Sequence, residues 1–227
     1  MRKSCRTGNY QRRDRATWER IFEAVPPDWF TAPPSDAMVQ CRRYFAAHPC
    51  VRLLDLGCGI GRWVQFLAGD AVRQVIGIDY AKRGVKVAAD WAQRSGINAA
   101  FVVGSVTALP FTGRTFDGVL AALMLDGLSR ADGLRTMRAC NAVVQPGARG
   151  FFVFNPILTA AEVEASQRDN STRECMHVSY EDAELGACLP GWSVTRVGTT
   201  LEGFRVVEAR IQISGEQPWR QIPAITA

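Results

Sequence analysis

Three alternate glycines placed directly behind an apolar run constrain this chain more than any other feature. Residues 53–63 read Leu-Leu-Asp-Leu-Gly-Cys-Gly-Ile-Gly-Arg-Trp: a buried strand that ends at an acid, a tight turn, and the first turn of a helix. An α/β sheet builds a nucleoside-binding loop in this way. Gly57, Gly59 and Gly61 carry no Cβ, so the backbone turns sharply and a ligand can approach the N–H groups at the helix start. Asp55 sets a negative charge at the loop's entrance. A loop made for pyrophosphate gains nothing from a carboxylate there, whereas a ligand carrying an ammonium group does. The dinucleotide fingerprint also requires a small residue where Arg62 stands.

Around this loop the chain alternates strand and helix. The pattern predicts strands over 51–56, 74–78, 99–103, 116–123 and 150–154, the last following a turn at Pro146-Gly147, with helices over 63–67, 81–95 and 130–144 between them. Such alternation argues a parallel, doubly wound sheet. The end departs from it: strands over 192–197 and 205–213 are joined only by residues 198–203, too few for a crossover helix, so they are antiparallel neighbours. Seven strands result. Upstream, Trp18, Ile21, Phe22 and Val25 recur at helical spacing until Pro26-Pro27, and residues 37–47 read as a second amphipathic helix with Met38, Cys41 and Tyr44 or Phe45 inward.

The run Asp55-x-Gly57-x-Gly59-x-Gly61 resembles the first motif of the class I S-adenosylmethionine-dependent methyltransferases, and an antiparallel hairpin closing a parallel sheet is a feature of their fold rather than of the dehydrogenases. The resemblance covers residues 51 to about 213. It implies a Rossmann-like α/β domain with a mostly parallel seven-stranded sheet, S-adenosyl-L-methionine as cofactor and S-adenosyl-L-homocysteine as product. It also implies site residues. Asp55, Gly57, Cys58, Gly59 and Gly61 form the cofactor loop. Asp79, eighteen residues past Gly61, binds the ribose hydroxyls, and Tyr80 flanks the adenine; the alternative for Asp79 is a helix cap. Residues 102–111 resemble the family's third motif, with Ser105 where an acid usually meets the adenine, so that the contact falls to Ser105 or to a backbone N–H near Val106. Ala121 and Ala122 leave room for the methionine part. No Asn-Pro-Pro-Tyr motif follows the fourth strand, as methylation of a base's exocyclic amine would require.

Asp126, on the substrate side of the same loop, is the acid/base candidate, with a solvated loop aspartate as the alternative. His177 falls where relatives carry a substrate lid and is the second catalytic candidate; His48 reads as a surface or packing residue. Trp18, Trp29 and Phe30 could wall the sulfonium, a cation–π contact of roughly 0.5–2 kcal/mol, or pack the cap.

At 227 residues and 47% hydrophobic, the chain suffices for one α/β domain, divided as a basic extension and helical cap (1–50), the methyltransferase domain (51–213) and a tail (214–227). The net charge of +5 resides in residues 1–20, where seven basic side chains face Asp14 and Glu19; the remainder is neutral. A neutral body with short insertions points to a small-molecule acceptor and away from nucleic acid. An RNA or protein acceptor held by the basic N-terminus, and a non-catalytic cofactor-binding module of the same fold, stay open, while Arg62 and the hairpin disfavour an NAD-linked dehydrogenase. Seven cysteines without a Cys-x-x-Cys pair indicate no metal site and a reduced, cytoplasmic setting. No run approaches the roughly 18 apolar residues of a membrane span. A monomer or homodimer is expected.

Overall fold

Pleating decides where each apolar residue of these strands goes. A computed structural model of the chain describes residues 14–68, 72–156, 180 and 182–212. Five strands, β1 (Cys50–Leu56), β2 (Val72–Asp79), β3 (Ala99–Val103), β4 (Phe116–Ala122) and β5 (Val144–Phe154), pair in parallel. The hairpin β6 (Trp192–Thr199) and β7 (Arg205–Ile211) joins them antiparallel through β5. The sheet order is β3-β2-β1-β4-β5-β7-β6, the doubly wound arrangement expected from the sequence. Six helices accompany it among the described residues: α1 (Arg15–Glu23), α2 (Asp36–Ala47), α3 (Arg62–Leu67), α4 (Lys82–Arg94), α5 (Arg130–Val143) and α6 (Asp182–Cys188).

Because successive side chains point to opposite faces, Leu53, Leu120, Phe151 and Val153 join one layer with Cys41 and Phe45 of α2 and Val64 and Leu67 of α3. Their neighbours Leu54, Val119, Phe152 and Phe154 join the other, with Met137 and Cys140 of α5 and Leu185 of α6. Both faces are covered, so the central strands are apolar throughout. Helix starts follow capping chemistry: Asp14, Ser35 and Ser129 accept from the N–H groups of Thr17, Met38 and Asp132. α4 has no such cap of its own.

Of the boundaries that differ from those read in the sequence, three have a visible cause. β5 starts at Val144 and not at Gly150: α5 runs straight into it, and the Pro146-Gly147 turn becomes an irregularity within the strand, where the pairing jumps from Phe116↔Val144 to Gly118↔Arg149. α4 starts at Lys82, because the Asp79 carboxylate takes the N–H of Ala81 and keeps that residue extended. β4 stops at Ala122, since Leu123 turns to φ +54°. The order reverses between β1 and β4, whose carboxyl ends open the crevice where such sheets bind ligands.

Candidate functional site

The crevice is built on backbone geometry that only glycine supplies. Gly57 and Gly61 sit at φ +72° and +78°, and a Cβ on Gly57 would lie 2.5 Å from Met124 Cγ, one on Gly61 2.9 Å from the Ala88 Cβ. The loop is pinned to the neighbouring strand, as the N–H groups of Gly57 and Cys58 donate to the Ile78 carbonyl at 2.8 and 3.1 Å. Asp79, at the end of that strand, accepts from the Gly59 N–H through Oδ2 at 3.0 Å and from the Ala81 N–H through Oδ1 at 2.8 Å. It bonds the residue that precedes α4 rather than capping the helix, and it holds the glycine loop as well. A carboxylate offers about four lone-pair sites, and with the backbone of Tyr80 also donating to it Asp79 keeps capacity for a ribose hydroxyl.

Asp55 lies beneath the loop, 2% exposed, with Oδ2 buried and without a hydrogen-bond partner among the described residues. Burial, with the Asp79 charge adding to it, pushes its pKa up to about 8. A buried, unsatisfied carboxylate is costly unless a cation or donor meets it. A cationic or hydrogen-bond-donating ligand group would meet it. The glycine cradle, the orphaned Asp55 oxygen and the spare capacity of Asp79 together fit a nucleoside that bears an amino-acid arm with a free ammonium group better than they fit a pyrophosphate.

The other predicted residues fall as follows. Tyr80 follows Asp79, half-buried. The Ser105 hydroxyl is exposed and bonded to Thr107 Oγ1 at 2.8 Å, within a tight turn in which Val106 packs on the core. Cys58 is buried; burial first, and the charges of Asp55 and Asp79 after it, hold its thiol well above the ordinary range, so it is not a nucleophile. Its side chain fills space, since a Cβ on Gly77 would lie 2.8 Å from it. Ala122 is half-buried at the end of β4, and beyond it Leu123 is, among the described residues, the one non-glycine with positive φ, a backbone conformation found preferentially at ligand sites.

Asp126 is not a solvated loop residue. It is 2% exposed in the 3₁₀ turn Leu125–Gly127, and its Oδ2 accepts from both the backbone N–H and the side-chain amide of Asn155, at 2.6 and 2.8 Å. The carboxylate clasps the end of β4 to the end of β5. His177 lies outside the described residues. His48 stands at the opposite edge of the sheet, its Nδ1 3.0 Å from the Tyr44 carbonyl. That edge has a cavity of about 280 Å³ lined by His48, Asp117 and Arg149, but Asp117 is engaged by the N–H groups of Val51 and Arg52.

The three cap aromatics have different surroundings. Trp18 stacks on Phe22 at 5.4 Å, Phe30 stacks on Trp91 of α4 at 5.5 Å, and Trp29 is 40% exposed. The ring that faces the glycine loop is Phe22, 3.1 Å from where a Gly59 Cβ would be. Sequence reading placed Phe22 on the inner stripe of α1 without a site role. The sequence assigns no site role to Glu19, Met124 or Asn155 either; the i,i+4 spacing of Trp18 and Phe22 is the signal it offers. Among the described residues no cluster of His, Cys, Asp and Glu could hold a metal ion, and no helix is long and apolar enough to cross a membrane.

A family model described as a methyltransferase domain matches residues 53–147. The ubiquinone biosynthesis O-methyltransferase of Methylocella silvestris is 37% identical over 101 residues, 44% of this chain and 38% of that protein; the chain thus spans well under half of that relative. A SAM dependent methyltransferase from Aquifex aeolicus shares the fold with a TM-score of 0.64 at 20% identity, over 88% of this chain and 99% of that one. Magnesium protoporphyrin IX methyltransferase from Synechocystis, solved with bound SAM, gives a TM-score of 0.64 at 18% identity, over 90% and 100%.

Proposed function

We propose that the chain, whose residues 53–147 match a methyltransferase domain, is a class I S-adenosylmethionine-dependent methyltransferase that methylates a small-molecule acceptor at oxygen, nitrogen or sulfur by in-line transfer. The observation that carries the reading is the orphaned, buried Asp55 oxygen under the glycine loop, beside an Asp79 with capacity to spare. Bound S-adenosylmethionine supplies a methyl group already activated by its positive sulfur. What the protein adds is binding, alignment and the exclusion of water.

Asp55 holds the ammonium, Asp79 the ribose hydroxyls, and Tyr80 with the turn at Ser105 and Val106 borders the base. Ala122 leaves space next to the loop. Alignment of two bound reactants lowers a barrier by roughly 7–11 kcal/mol, so neither a metal nor a strong base is required, and Asp126 acts by fixing the crevice wall. Of the predicted cap over the domain at 51–213, α1 covers the glycine loop through Phe22 whereas α2 belongs to the layer on the sheet, and Trp18 and Trp29 border the acceptor. The relative named for ubiquinone biosynthesis favours a hydroxyl acceptor. The free, buried cysteines of the described residues suit a reducing, cytoplasmic setting, and a monomer or homodimer without nucleic-acid partners accords with a body that is neutral outside residues 1–20.

Incubating the protein with S-adenosylmethionine and a panel of small phenols, amines and thiols tests this, with mass spectrometry following both products. Methylated acceptor should appear in step with S-adenosylhomocysteine. Cofactor binding with no transfer to any acceptor would favour the non-catalytic module instead.

A further inference from the structure

α4 rises from the crevice directly after Asp79 and lacks a cap of its own. Ala81 occupies the N-cap position with no side-chain acceptor, and its N–H is taken by Asp79. The next two N–H groups are met from a distant part of the chain. Glu19 of α1 accepts from Lys82 through Oε1 and from Arg83 through Oε2, both at 2.8 Å. These bonds, Arg83 first, hold the Glu19 carboxyl below its ordinary range. One turn on, Phe22 fills the groove between Gly59 and Gly84: a Cβ on Gly84 would lie 2.7 Å from the ring and 3.0 Å from the Gly59 carbonyl. Glu23 pairs with the Arg83 guanidinium. The segment from Asp79 to Gly84 is therefore gripped by Asp79 within the site and by α1 from outside it.

Two consequences follow from charge and geometry. A helix start left uncapped frays, and here fraying would loosen the residue that faces the ribose. A helix start with open N–H groups also attracts anions, and in related α/β sites the group beside the ribose acid decides whether a 2′-phosphate is admitted. Here those N–H groups are occupied by a second carboxylate.

We propose that Glu19 is a positioning and selectivity residue for the nucleoside: through the first turn of α4 it fixes Asp79, and its charge turns away nucleosides phosphorylated on the ribose. The proposal rests on the cofactor reading above. Calorimetry with S-adenosylhomocysteine, adenosine and adenosine 2′-monophosphate on the full chain tests it, comparing wild type, Glu19→Ala, Glu19→Gln and the double variant Glu19→Ala/Ala81→Ser. Glu19→Ala should weaken S-adenosylhomocysteine about tenfold, the size of a lost helix cap, and narrow the preference for adenosine over its 2′-monophosphate by a comparable factor. Glu19→Gln, which keeps the packing of α1 and one acceptor oxygen, should move the same way by less. In the double variant a hydroxyl at the helix's own N-cap should recover the affinity but not the rejection of phosphate, because no charge returns. A Glu19→Ala protein with wild-type affinity or wild-type preference overturns the inference, as does a double variant that recovers nothing. Failure of the wild type to bind S-adenosylhomocysteine overturns the cofactor reading and this inference with it.

Discussion

At the scale of single residues, Asp55 carries the clearest consequence. Its pKa in the folded chain is raised from 3.8 to about 8, so between those values the folded state holds a proton that the unfolded state has lost. Stability without ligand should therefore fall as pH rises from 3.8 to about 8, and Asp55→Asn should flatten that slope. Urea titrations across this range check it; equal slopes in the two proteins would contradict the assignment. A cationic ligand needs the ionised form. Binding S-adenosylhomocysteine near pH 7 should release close to one proton, seen as a buffer-dependent heat, and Asp55→Asn should release none. Asp126 acts differently. Removing it in Asp126→Ala leaves the Asn155 N–H without its charged partner, which costs roughly 1–3 kcal/mol. If Asp126 fixes the crevice wall through Asn155, Asp126→Asn should leave the shape of the rate profile with pH as in the wild type; a lost limb in that profile would restore it as the base.

At the scale of elements, what could be read in advance was what repeats locally. Leu53 and Leu54, or Phe151 and Phe152, reach opposite layers simply because strand side chains alternate, and that pattern is written in neighbouring letters. The glycine loop was legible for the same reason: its chemistry lies within a few residues. Contacts between distant segments were not. Glu19 meets Lys82 and Arg83 across more than sixty positions, and Asp126 meets Asn155 across twenty-nine, so nothing beside either carboxylate betrays its partner. The docking of α1 is the element-scale prediction. Phe22→Ala empties the groove between Gly59 and Gly84 and should weaken S-adenosylhomocysteine binding while leaving the far-ultraviolet circular dichroism of the sheet intact; unchanged affinity would mean that α1 only rests on the loop.

At the scale of the molecule, the charge distribution separates the acceptor classes. The excess of positive charge lies in residues 1–20, and the crevice is lined by the acids Asp55 and Asp79 with Glu19 on its rim. Deleting residues 1–13 should leave turnover of a small acceptor unchanged, whereas an RNA or protein acceptor held by that segment would lose most of its binding, and its salt dependence with it. The fold brings together an acid from the end of β1, an acid from the end of β2 and a helix from the N-terminal cap, and nucleoside binding should depend on that convergence. The most direct measurement is a titration of the wild type with S-adenosylhomocysteine and, separately, with NAD, repeated on Asp79→Ala and Gly59→Val. One site per chain with an affinity on the order of micromolar for S-adenosylhomocysteine, lost in both variants and absent for NAD, is the expected result. Variants that bind like the parent, or a wild type that prefers NAD, would contradict it.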